Sequence, residues 1–459
     1  MSKASTLWHG IDTLVCMDTP RRVLHGAWIR SEGPRVLELG EGELEPREGE
    51  NTVDLGGGIV IPGLVNVHHH LCQNLTRAYG PAADAELFQW LTTLYPIWAG
   101  FTPENLDLAA RVGFAELLLS GCTTTSDHHY LFPRAGASEL LDASFHAAQR
   151  LRIRFHGTRG SMSVDESQGG LPPRSCTQDE SMILLDSERV IKRWHDRARY
   201  SMHQVGLAPC APFSVSQDLM RETARLARAE GVRLHTHLAE TRDETAYCLE
   251  HFSCRPLDFL EEVEWVGNDV WLAHGIWFEE SEIDRLGNAA VGIAHCPTSN
   301  MRLGSGVCPV PELRAAGVAV GLGVDGSASN DTAHMLNEAR MALYLRRLES
   351  GAAAMTAMEA LELATLGGAQ CLGREELGWL GKDSACDFAH YDLDGEIAAS
   401  GAHDPLAALL FCGPLRAKSV VVNGDQVVRD GRVLNEDLET LLPAHREAAR
   451  QLVQAARSS

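Results

Sequence analysis

The sequence predicts an α/β fold, in which a (β/α)8 barrel carries a small β-sandwich domain built from both chain termini. Eight short apolar segments rich in β-branched residues recur between residues 58 and 326. Helical patterns separate them, and β-rich stretches flank the series at residues 5–55 and 385–434. Strands that alternate with helices indicate parallel βαβ units, and eight such units are typical of a closed barrel.

Each predicted barrel strand is an apolar segment bounded by helical or turn-forming sequence. In chain order the strands are GIVIPGLVNV (58–67), CTTTSD (122–127), RIRFHGTR (152–159), QVGLAPCAP (204–212), VRLHTHLA (232–239), DVWLAHGI (269–276), VGIAHC (291–296) and VAVGLGVDG (318–326). Intervening helical patterns such as PENLDLAARVGFAELLLSG (103–121) end at or near a glycine, as helices often do.

Short strands and turns are predicted at both ends of the chain. Residues 5–55 alternate apolar runs with Gly, Pro and Asn, and residues 385–434 have the same character, with a hairpin expected in VNGDQVVRDG (422–431). The predicted organisation is therefore the first part of the β-sandwich at 1–58, the barrel at 59–375, the second part of the sandwich at 376–435 and a C-terminal helix at 436–459.

The charge balance argues against a nucleic-acid partner. The chain has 62 acidic and 40 basic residues and a net charge of -22, whereas nucleic-acid binders usually carry a basic patch. No long apolar run predicts a membrane span, and the N-terminal residues lack the pattern of a signal peptide, which predicts a cytoplasmic location. The 12 cysteines form no CxxC pair and are expected to be buried thiols.

Histidines and one aspartate lie at the ends of four predicted barrel strands. They are His68 and His70 on the first strand, His237 on the fifth, His274 on the sixth and Asp325 on the eighth. Barrel enzymes carry their catalytic groups at the carboxyl ends of the strands. Imidazoles and a carboxylate at one rim indicate a divalent metal site. Side chains alternate along a strand, so His69 is expected to point away from the metal, toward the helices or a neighbouring loop.

Five motifs resemble those of the amidohydrolase superfamily, specifically its cytosine, guanine and triazine deaminase branch. In order they are PGLVNVHHH, HTHLAE, AHG, HCPTSNMRLGSG and GVDGSASND. The resemblance implies a barrel with a composite β-sandwich and a metal held by His68, His70, His237 and Asp325. It also implies that His274 contacts the metal-bound water.

The number of metal ions is expected to be one. Some members of the superfamily bridge two metals with a carboxylated lysine at the end of strand 4. The predicted strand 4 has no lysine, and Lys192 lies in the helical pattern that precedes it. Zinc is the first choice for the cofactor, and ferrous iron also suits these ligands.

Hydrolysis of a carbon–nitrogen bond is the reaction that these groups favour. A divalent cation lowers the pKa of bound water toward neutrality. Asp325 is placed to take the proton of that water, and His274 is placed to orient it or to stabilise the developing oxyanion. Glu240, three residues beyond His237, can protonate a ring nitrogen of the substrate. We therefore predict an aminohydrolase that removes ammonia from a cyclic amidine.

The segment after the first barrel strand bears on the substrate. Gln73 either contacts the edge of a base through its amide or caps its own loop. The large side chains that follow form either core or a flat-ring pocket; they are Phe88, Trp90, Leu94, Tyr95 and Trp98. With residues 158–173 and 207–216, this segment is most similar to the 8-oxoguanine deaminases of the branch, often labelled hydroxydechloroatrazine ethylaminohydrolase. That similarity implies conversion of 8-oxoguanine to urate and ammonia, with isocytosine as a second substrate.

Other functions stay open at this point. A hydroxytriazine aminohydrolase and a guanine deaminase share the motifs. An S-adenosylhomocysteine-type deaminase would use an arginine after strand 1 and a histidine at strand 4; Arg77 is present, but APCAPFSVS (208–216) lacks the histidine. A catalytically inactive scaffold barrel is the alternative of another class, and the intact ligand set argues against it. A homo-oligomer is expected from the resemblance. No role is assigned to His128, His129, His203 or His295.

Overall fold

A computed structural model describes residues 5–134 and 139–458 of the chain. A closed barrel of eight parallel strands forms its centre, and a nine-stranded sheet built from both ends of the chain packs against it. Residues 1–4 and 459 of the predicted first and last segments lie outside the described residues. The predicted fold class is confirmed.

The strands, in chain order, are β1 Ser5–Val15, β2 Val23–Glu32, β3 Arg35–Glu41, β4 Asn51–Asp54, β5 Ile59–Pro62, β6 Leu64–Asn66, β7 His69–His70, β8 Cys122–His129, β9 Arg154–Ser161, β10 His203–Pro209, β11 Arg233–Leu238, β12 Val270–His274, β13 Gly292–His295, β14 Ala319–Leu322, β15 Asp325–Gly326, β16 Phe388–Tyr391, β17 Ser419–Val422, β18 Asp425–Arg429 and β19 Arg432–Val433.

The helices are α1 Leu87–Trp98, α2 Pro103–Leu119, α3 Leu140–Leu151, α4 Glu180–Trp194, α5 Gln217–Glu230, α6 Arg242–Phe252, α7 Pro256–Glu262, α8 Glu280–Asn288, α9 Pro297–Arg302, α10 Val310–Ala315, α11 Met335–Ser350, α12 Ala357–Glu362, α13 Gly368–Cys371, α14 Pro405–Phe411 and α15 Leu438–Ser458. Residues 71–76 form a short 3₁₀ helix directly after β7.

The barrel closes in the order β6, β8, β9, β10, β11, β12, β13 and β14. Each of these strands overlaps one of the eight predicted segments, and neighbouring strands are parallel. The eight carboxyl ends therefore meet at one rim. The two-residue strands β7 and β15 pair with each other at this rim, which brings the chain after the first barrel strand against the chain after the eighth.

The segment predicted as one strand over residues 58–67 is two strands. β5 pairs with β1 and β16 in the terminal sheet, and β6 pairs with β8 and β14 in the barrel. The change occurs at Gly63, where an added Cβ would lie 2.1 Å from Thr123 Oγ1 on the neighbouring strand. A residue without a Cβ is needed for this close approach. The chain thus enters the barrel after Gly63.

The terminal sheet joins residues that are far apart in sequence. Its order is β19, β18, β17, β16, β5, β1, β2 and β3, with β4 paired to β1. Trp8 and Phe388, from opposite ends of the chain, meet edge to face with ring centroids 5.3 Å apart. β17 and β18 form the predicted hairpin, with Asn423 and Gly424 at positive φ as a tight two-residue turn requires.

The C-terminal helix α15 buries Leu441 and Leu452 and packs against α1 and α2. Its apolar residues thus cover the helices that follow the first barrel strand. Within residues 5–134 and 139–458, we find no helix with the length and apolar character that a membrane span requires.

Arg154 and Asp387 form a buried ion pair between the barrel and the terminal sheet. Arg154 begins β9 and Asp387 directly precedes β16, and their side chains are 0% and 4% exposed. Arg154 Nε and Nη2 donate to the two carboxylate oxygens over 3.1 and 3.0 Å. Arg154 also donates to the Ser201 carbonyl and to Asn423 Oδ1. A buried guanidinium is tolerated here because its charge and its donors are matched.

Replacing Asp387 by alanine is expected to lower the free energy of unfolding by about 3–5 kcal/mol, since Arg154 would stay buried without its counter-charge. Urea unfolding curves measure this loss. The control is Glu188→Ala, which removes the ion pair of Glu188 with Lys192 on α4, whose side chains are 44% and 68% exposed. Exposed pairs contribute little, so this variant should unfold like the wild type. Equal midpoints for Asp387→Ala and the wild type would contradict the prediction.

Candidate metal centre and active site

The five residues predicted at the barrel rim lie together in the structure. They are His68 after β6, His70 in β7, His237 in β11, His274 at the end of β12 and Asp325 in β15, and all are buried. Asp325 Oδ1 is 3.3 Å from His68 Nε2 and 3.2 Å from His70 Nε2. The Nε2 atoms of His70 and His237 are 3.1 Å apart. Strands distant in sequence thus bring the polar atoms to one point.

Hydrogen bonds on the far side of the rings fix which nitrogen faces this point. His70 Nδ1 is 2.7 Å from the His128 carbonyl, and His237 Nδ1 is 2.7 Å from the Cys210 carbonyl. A carbonyl only accepts, so each Nδ1 carries the hydrogen and each Nε2 presents a lone pair. Lone pairs and a carboxylate that converge in this way repel one another unless a cation lies between them. The donor set therefore fits a divalent metal ion.

Burial keeps the imidazoles in the form that binds a metal. It lowers the pKa of His68 well below the usual range and that of His237 to about 3. Both rings are therefore neutral at pH 7. Neutral imidazole is the ligand that a divalent cation requires, so no proton must be removed from these two rings when the metal binds.

The Asp325 carboxylate is oriented by groups that the sequence patterns did not reveal. Ser299 Oγ donates to Asp325 Oδ2 over 2.5 Å and Ser329 Oγ over 3.2 Å, while the Gly326 amide donates to Oδ1. Ser299 lies in α9 and Ser329 in the loop after β15. The carboxylate thus keeps one oxygen on the histidine side and the other against two hydroxyls.

Glu240 and His274 face each other within the same polar cluster, beside the Nε2 atoms of the candidate ligands. Glu240 Oε2 lies 3.5 Å from His274 Nε2, and His274 Nδ1 lies 2.9 Å from Asn300 Oδ1. Burial, and then the negative charges of Asp325 and Glu244, raise the pKa of Glu240 well above its usual range. A raised pKa favours the protonated form of the carboxyl group, which is the form that acts as a general acid.

The backbone turns sharply where these groups leave the strands. Ala239, His274 and Asp325 have φ values of 52°, 72° and 58°, in the left-handed region that residues with a Cβ rarely adopt. The turn at Ala239 is held by Glu244, whose two carboxylate oxygens accept from the amides of Ala239 and Glu240 over 2.9 Å each. Strained backbone concentrated at one rim is typical of a functional site.

A pocket opens onto the cluster, with about 380 Å³ of space free of protein atoms, part of which is open solvent. Polar groups form its floor and apolar side chains form its wall, which includes Leu87, Trp90, Leu91, Phe213 and Leu303. Gln73 also lines the pocket, and its carboxamide packs directly against Gly326. A Cβ on residue 326 would lie 1.8 Å from Gln73 Oε1, so only glycine leaves room for this side chain. The large side chains of the segment after the first barrel strand were expected to form either core or a flat-ring pocket. Trp90 lines the pocket, whereas Leu94, Tyr95 and Trp98 are buried in the core.

The sequence model of the amidohydrolase family matches residues 59–427. This chain belongs to the amidohydrolase family. The match begins at the strand that precedes Gly63 and extends through the barrel into the second part of the terminal sheet, so it includes every residue of the polar cluster.

Relatives and solved structures match this amidohydrolase over nearly its full length. The 8-oxoguanine deaminase of Pseudomonas aeruginosa is 50% identical over 428 residues, which are 93% of this chain and 95% of that protein. The hydroxydechloroatrazine ethylaminohydrolase of Pseudomonas sp. strain ADP is 36% identical over 443 residues, 93% of this chain and 91% of that protein. The crystal structure of atrazine chlorohydrolase from Arthrobacter aurescens TC1 complexed with zinc has a TM-score of 0.92 at 33% identity, and covers 97% of this chain and 100% of that chain.

The arrangement of this amidohydrolase supports one metal centre. Potential ligand atoms form two groups that share His68; one also contains His70, His128 and His237, and the other contains His274 and Asp325. Among the described residues at the end of β10 there is no lysine, and Lys192 lies on α4 with its side chain 68% exposed. A second metal would therefore lack the carboxylated lysine that bridges two metals in some members of the superfamily.

The histidines without an assigned role have varied surroundings. The His128 carbonyl accepts a hydrogen bond from His70 Nδ1, and His128 Nε2 lies 2.8 Å from the Ala208 carbonyl. His129 packs against Phe132, and His203 lies at the start of β10, away from the rim. His295 is buried at the end of β13. His128 is therefore part of the support for the cluster.

His235 contacts the polar cluster as well, although the sequence patterns did not predict it as a site residue. It lies two residues before His237 in the motif HTHLAE, so the alternation of a strand puts both rings on one face. Its Nε2 is 2.8 Å from His68 Nδ1. The signal that could have identified it is the H-x-H spacing, which strands 1 and 5 share.

Proposed function

We propose that this amidohydrolase is a metal-dependent hydrolytic deaminase of a free, purine-like base, with 8-oxoguanine as its substrate and urate and ammonia as its products. Isocytosine, which has the same amino-bearing carbon beside a ring nitrogen, is the second substrate. The 50% identity to the 8-oxoguanine deaminase of Pseudomonas aeruginosa over 93% of this chain supports the choice of base.

The observation that carries the proposal is a pocket with the Glu240 carboxyl group at its base and no lysine or arginine among its described lining residues. Glu240 lines this pocket next to Asp325, while Trp90 and Phe213 provide flat apolar surfaces for a ring. Among the described residues that line it, none is lysine or arginine. A neutral base fits these walls, whereas the carboxylate of S-adenosylhomocysteine would have no cation to bind. Arg77 does not supply one, since it is paired with Glu116 over 2.7 Å outside the pocket.

The metal would be held by His68, His70, His237 and Asp325. We assign zinc, because three imidazoles and one carboxylate suit it and because the atrazine chlorohydrolase structure was solved with zinc. The bound cation would supply Lewis acidity that lowers the pKa of water toward 7.

The side chains account for the remaining chemistry. Asp325 accepts a proton from the attacking water, and Glu240 donates its proton to the ring nitrogen beside C2, which makes this carbon electrophilic. His274 donates through Nδ1 to Asn300, so its Nε2 accepts a hydrogen bond and orients the water. Water oxygen bonds to C2, the C2–amino bond breaks, and the amino group leaves as ammonia with the proton that Asp325 received. The proton left on the C2 hydroxyl passes to Glu240 as the C2 carbonyl forms, which restores the acid. Gln73 binds the carbonyl edge of the base.

Ammonia release from 8-oxoguanine, isocytosine, guanine, S-adenosylhomocysteine and a hydroxytriazine, assayed side by side with zinc-loaded protein, tests the proposal. We expect kcat/KM to be highest for 8-oxoguanine, and the carboxylate-bearing nucleoside to be inert. Turnover of the hydroxytriazine alone would replace the proposed substrate, in line with the 36% identity to the hydroxydechloroatrazine ethylaminohydrolase. Protein that releases no ammonia from any of the five would support the scaffold alternative. The homo-oligomeric state and the cytoplasmic location stay predictions.

A further inference from the structure

His235 lies in the barrel interior, directly behind the polar cluster. It belongs to β11, and its ring is completely buried. One ring nitrogen, Nε2, is 2.8 Å from His68 Nδ1, and the other, Nδ1, is 2.8 Å from the Trp271 carbonyl. The three groups form a chain that starts at a backbone oxygen and ends at a residue of the proposed metal site.

The direction of both hydrogen bonds follows from the backbone end of this chain. The Trp271 carbonyl only accepts, so His235 Nδ1 carries a hydrogen. Only one hydrogen fits between His235 Nε2 and His68 Nδ1, and binding of the proposed metal at His68 Nε2 leaves the ring hydrogen of His68 on Nδ1. His235 Nε2 must accept, and His68 Nδ1 must donate. His68 is then left with a lone pair on Nε2, the atom that lies 3.3 Å from Asp325 Oδ1.

Trp271 holds His235 in this orientation by two contacts, and a third contact ties the same residue to the strand before His68. Its indole ring stacks on the imidazole with centroids 4.4 Å apart and planes inclined by 13°. Its carbonyl receives the His235 hydrogen bond, and its Nε1 donates to the Val67 carbonyl over 3.0 Å. Val67 precedes His68, so the same tryptophan fixes both the ring behind His68 and the backbone that leads into it.

His68 differs from its neighbours in the partner of its Nδ1. His70 and His237 each donate to a backbone carbonyl, which no substitution removes. His68 depends on a side chain instead. Without that acceptor, its ring can carry the hydrogen on Nε2, and in this tautomer the nitrogen that faces the cluster has no lone pair for a cation.

We propose that His235 is a positioning residue that selects the metal-binding tautomer of His68, and that its removal weakens the metal site without removing any ligand. This inference rests on the proposed metal centre. Partners that orient a metal-binding histidine typically contribute a 10- to 100-fold effect on metal affinity.

The test measures zinc affinity of metal-free protein by competition with a chromogenic chelator, and the melting temperature of the same metal-free samples. His235→Phe keeps a flat ring against Trp271 but has no acceptor, and we expect it to bind zinc about 10- to 100-fold more weakly than the wild type. His235→Gln presents an amide oxygen near the position of Nε2 and should recover most of this affinity. The comparison of His235→Gln with His235→Leu applies equally if the phenylalanine variant does not fold.

His156→Phe is the matched control. His156 is also buried in the barrel interior, with its ring centroid 5.4 Å from that of Trp271, and neither of its nitrogens has a hydrogen-bond partner among the described residues. Its replacement should alter the melting temperature about as much as His235→Phe and leave zinc affinity unchanged.

Two results would overturn the inference, and they are distinguishable. Tight zinc binding by the wild type and equally by His235→Phe, or by His235→Leu, would show that the tautomer of His68 does not depend on His235. Failure of the wild type itself to bind zinc or ferrous iron would reject the metal centre, and with it the role of His235.

Discussion

Replacing Glu240 by glutamine is expected to lower kcat/KM for ammonia release by about 10²- to 10⁴-fold, the range that a positioned general acid contributes. Glutamine has nearly the same shape but no acidic proton to give to the ring nitrogen. Glu240 is not among the proposed ligands, so zinc content should stay that of the wild type. Steady-state assays and metal analysis of the same preparation measure the two effects separately.

The pH dependence of the wild type should carry the signature of this proton. Burial and the neighbouring charges of Asp325 and Glu244 raise the pKa of Glu240 well above its usual range. The protonated acid is the active form, so kcat/KM should be retained below this pKa and fall as the pH rises through it. Glutamine does not titrate, so the residual activity of Glu240→Gln should lack that fall.

Glu282→Gln is the control for a buried glutamate that is outside the pocket. Glu282 is 2% exposed and accepts from Arg255 Nη2 over 2.8 Å. Its replacement should lower thermal stability and leave kcat/KM near that of the wild type. Activity in Glu240→Gln comparable to that of Glu282→Gln would remove Glu240 from the mechanism.

The parts of the site that the sequence predicts are those fixed by strand geometry. Parallel strands around a barrel place all their carboxyl ends at one rim, so His68, His237 and Asp325 are neighbours whatever their separation in sequence. Alternation along a strand then selects which residues of a histidine run share a face. Both rules depend only on recognising the strands, and the apolar, β-branched segments were sufficient for that.

The parts that the sequence could not predict depend on particular tertiary contacts. Ser299 and Asn300 are neighbours on α9. Ser299 contacts Asp325 on β15, and Asn300 contacts His274 on β12, only because the fold brings these elements together. No spacing rule links a residue of a short helix to a carboxylate on another element. Trp90 raises a different difficulty, since the helical spacing that places it in the pocket is also the spacing of a core residue.

The division of residues 58–67 into two strands shows a further limit. The run is apolar on both sides of Gly63, so neither burial nor periodicity marks the change of sheet. What ends β5 and starts β6 is the approach of Thr123, whose Oγ1 would lie 2.1 Å from a Cβ at Gly63. Thr123 is on β8, and this contact is visible only after the barrel has closed.

Replacing His68 or His70 by alanine is expected to abolish metal binding, and with it ammonia release, while His69→Thr should keep both. The three residues are adjacent but not equivalent. His68 and His70 present Nε2 atoms to Asp325 Oδ1 at 3.3 and 3.2 Å. His69 Nδ1 instead accepts from the His70 amide, and its Nε2 lies 3.7 Å from the position of a Cβ on Gly113 of α2. His69 thus packs toward a helix, on the side away from the metal.

Metal content after dialysis against buffer without chelator, measured for the three variants and the wild type, tests this register. His69→Thr leaves a gap beside α2 and removes the acceptor of the His70 amide. We therefore expect its free energy of unfolding to fall by about 1–3 kcal/mol. It should nonetheless hold one metal ion per chain, because none of the converging Nε2 atoms belongs to it. A His69→Thr protein that is folded but free of metal would mean that the strand presents the other face to the barrel mouth. His68→Ala or His70→Ala protein with a full complement of metal would exclude that ring from the ligand set.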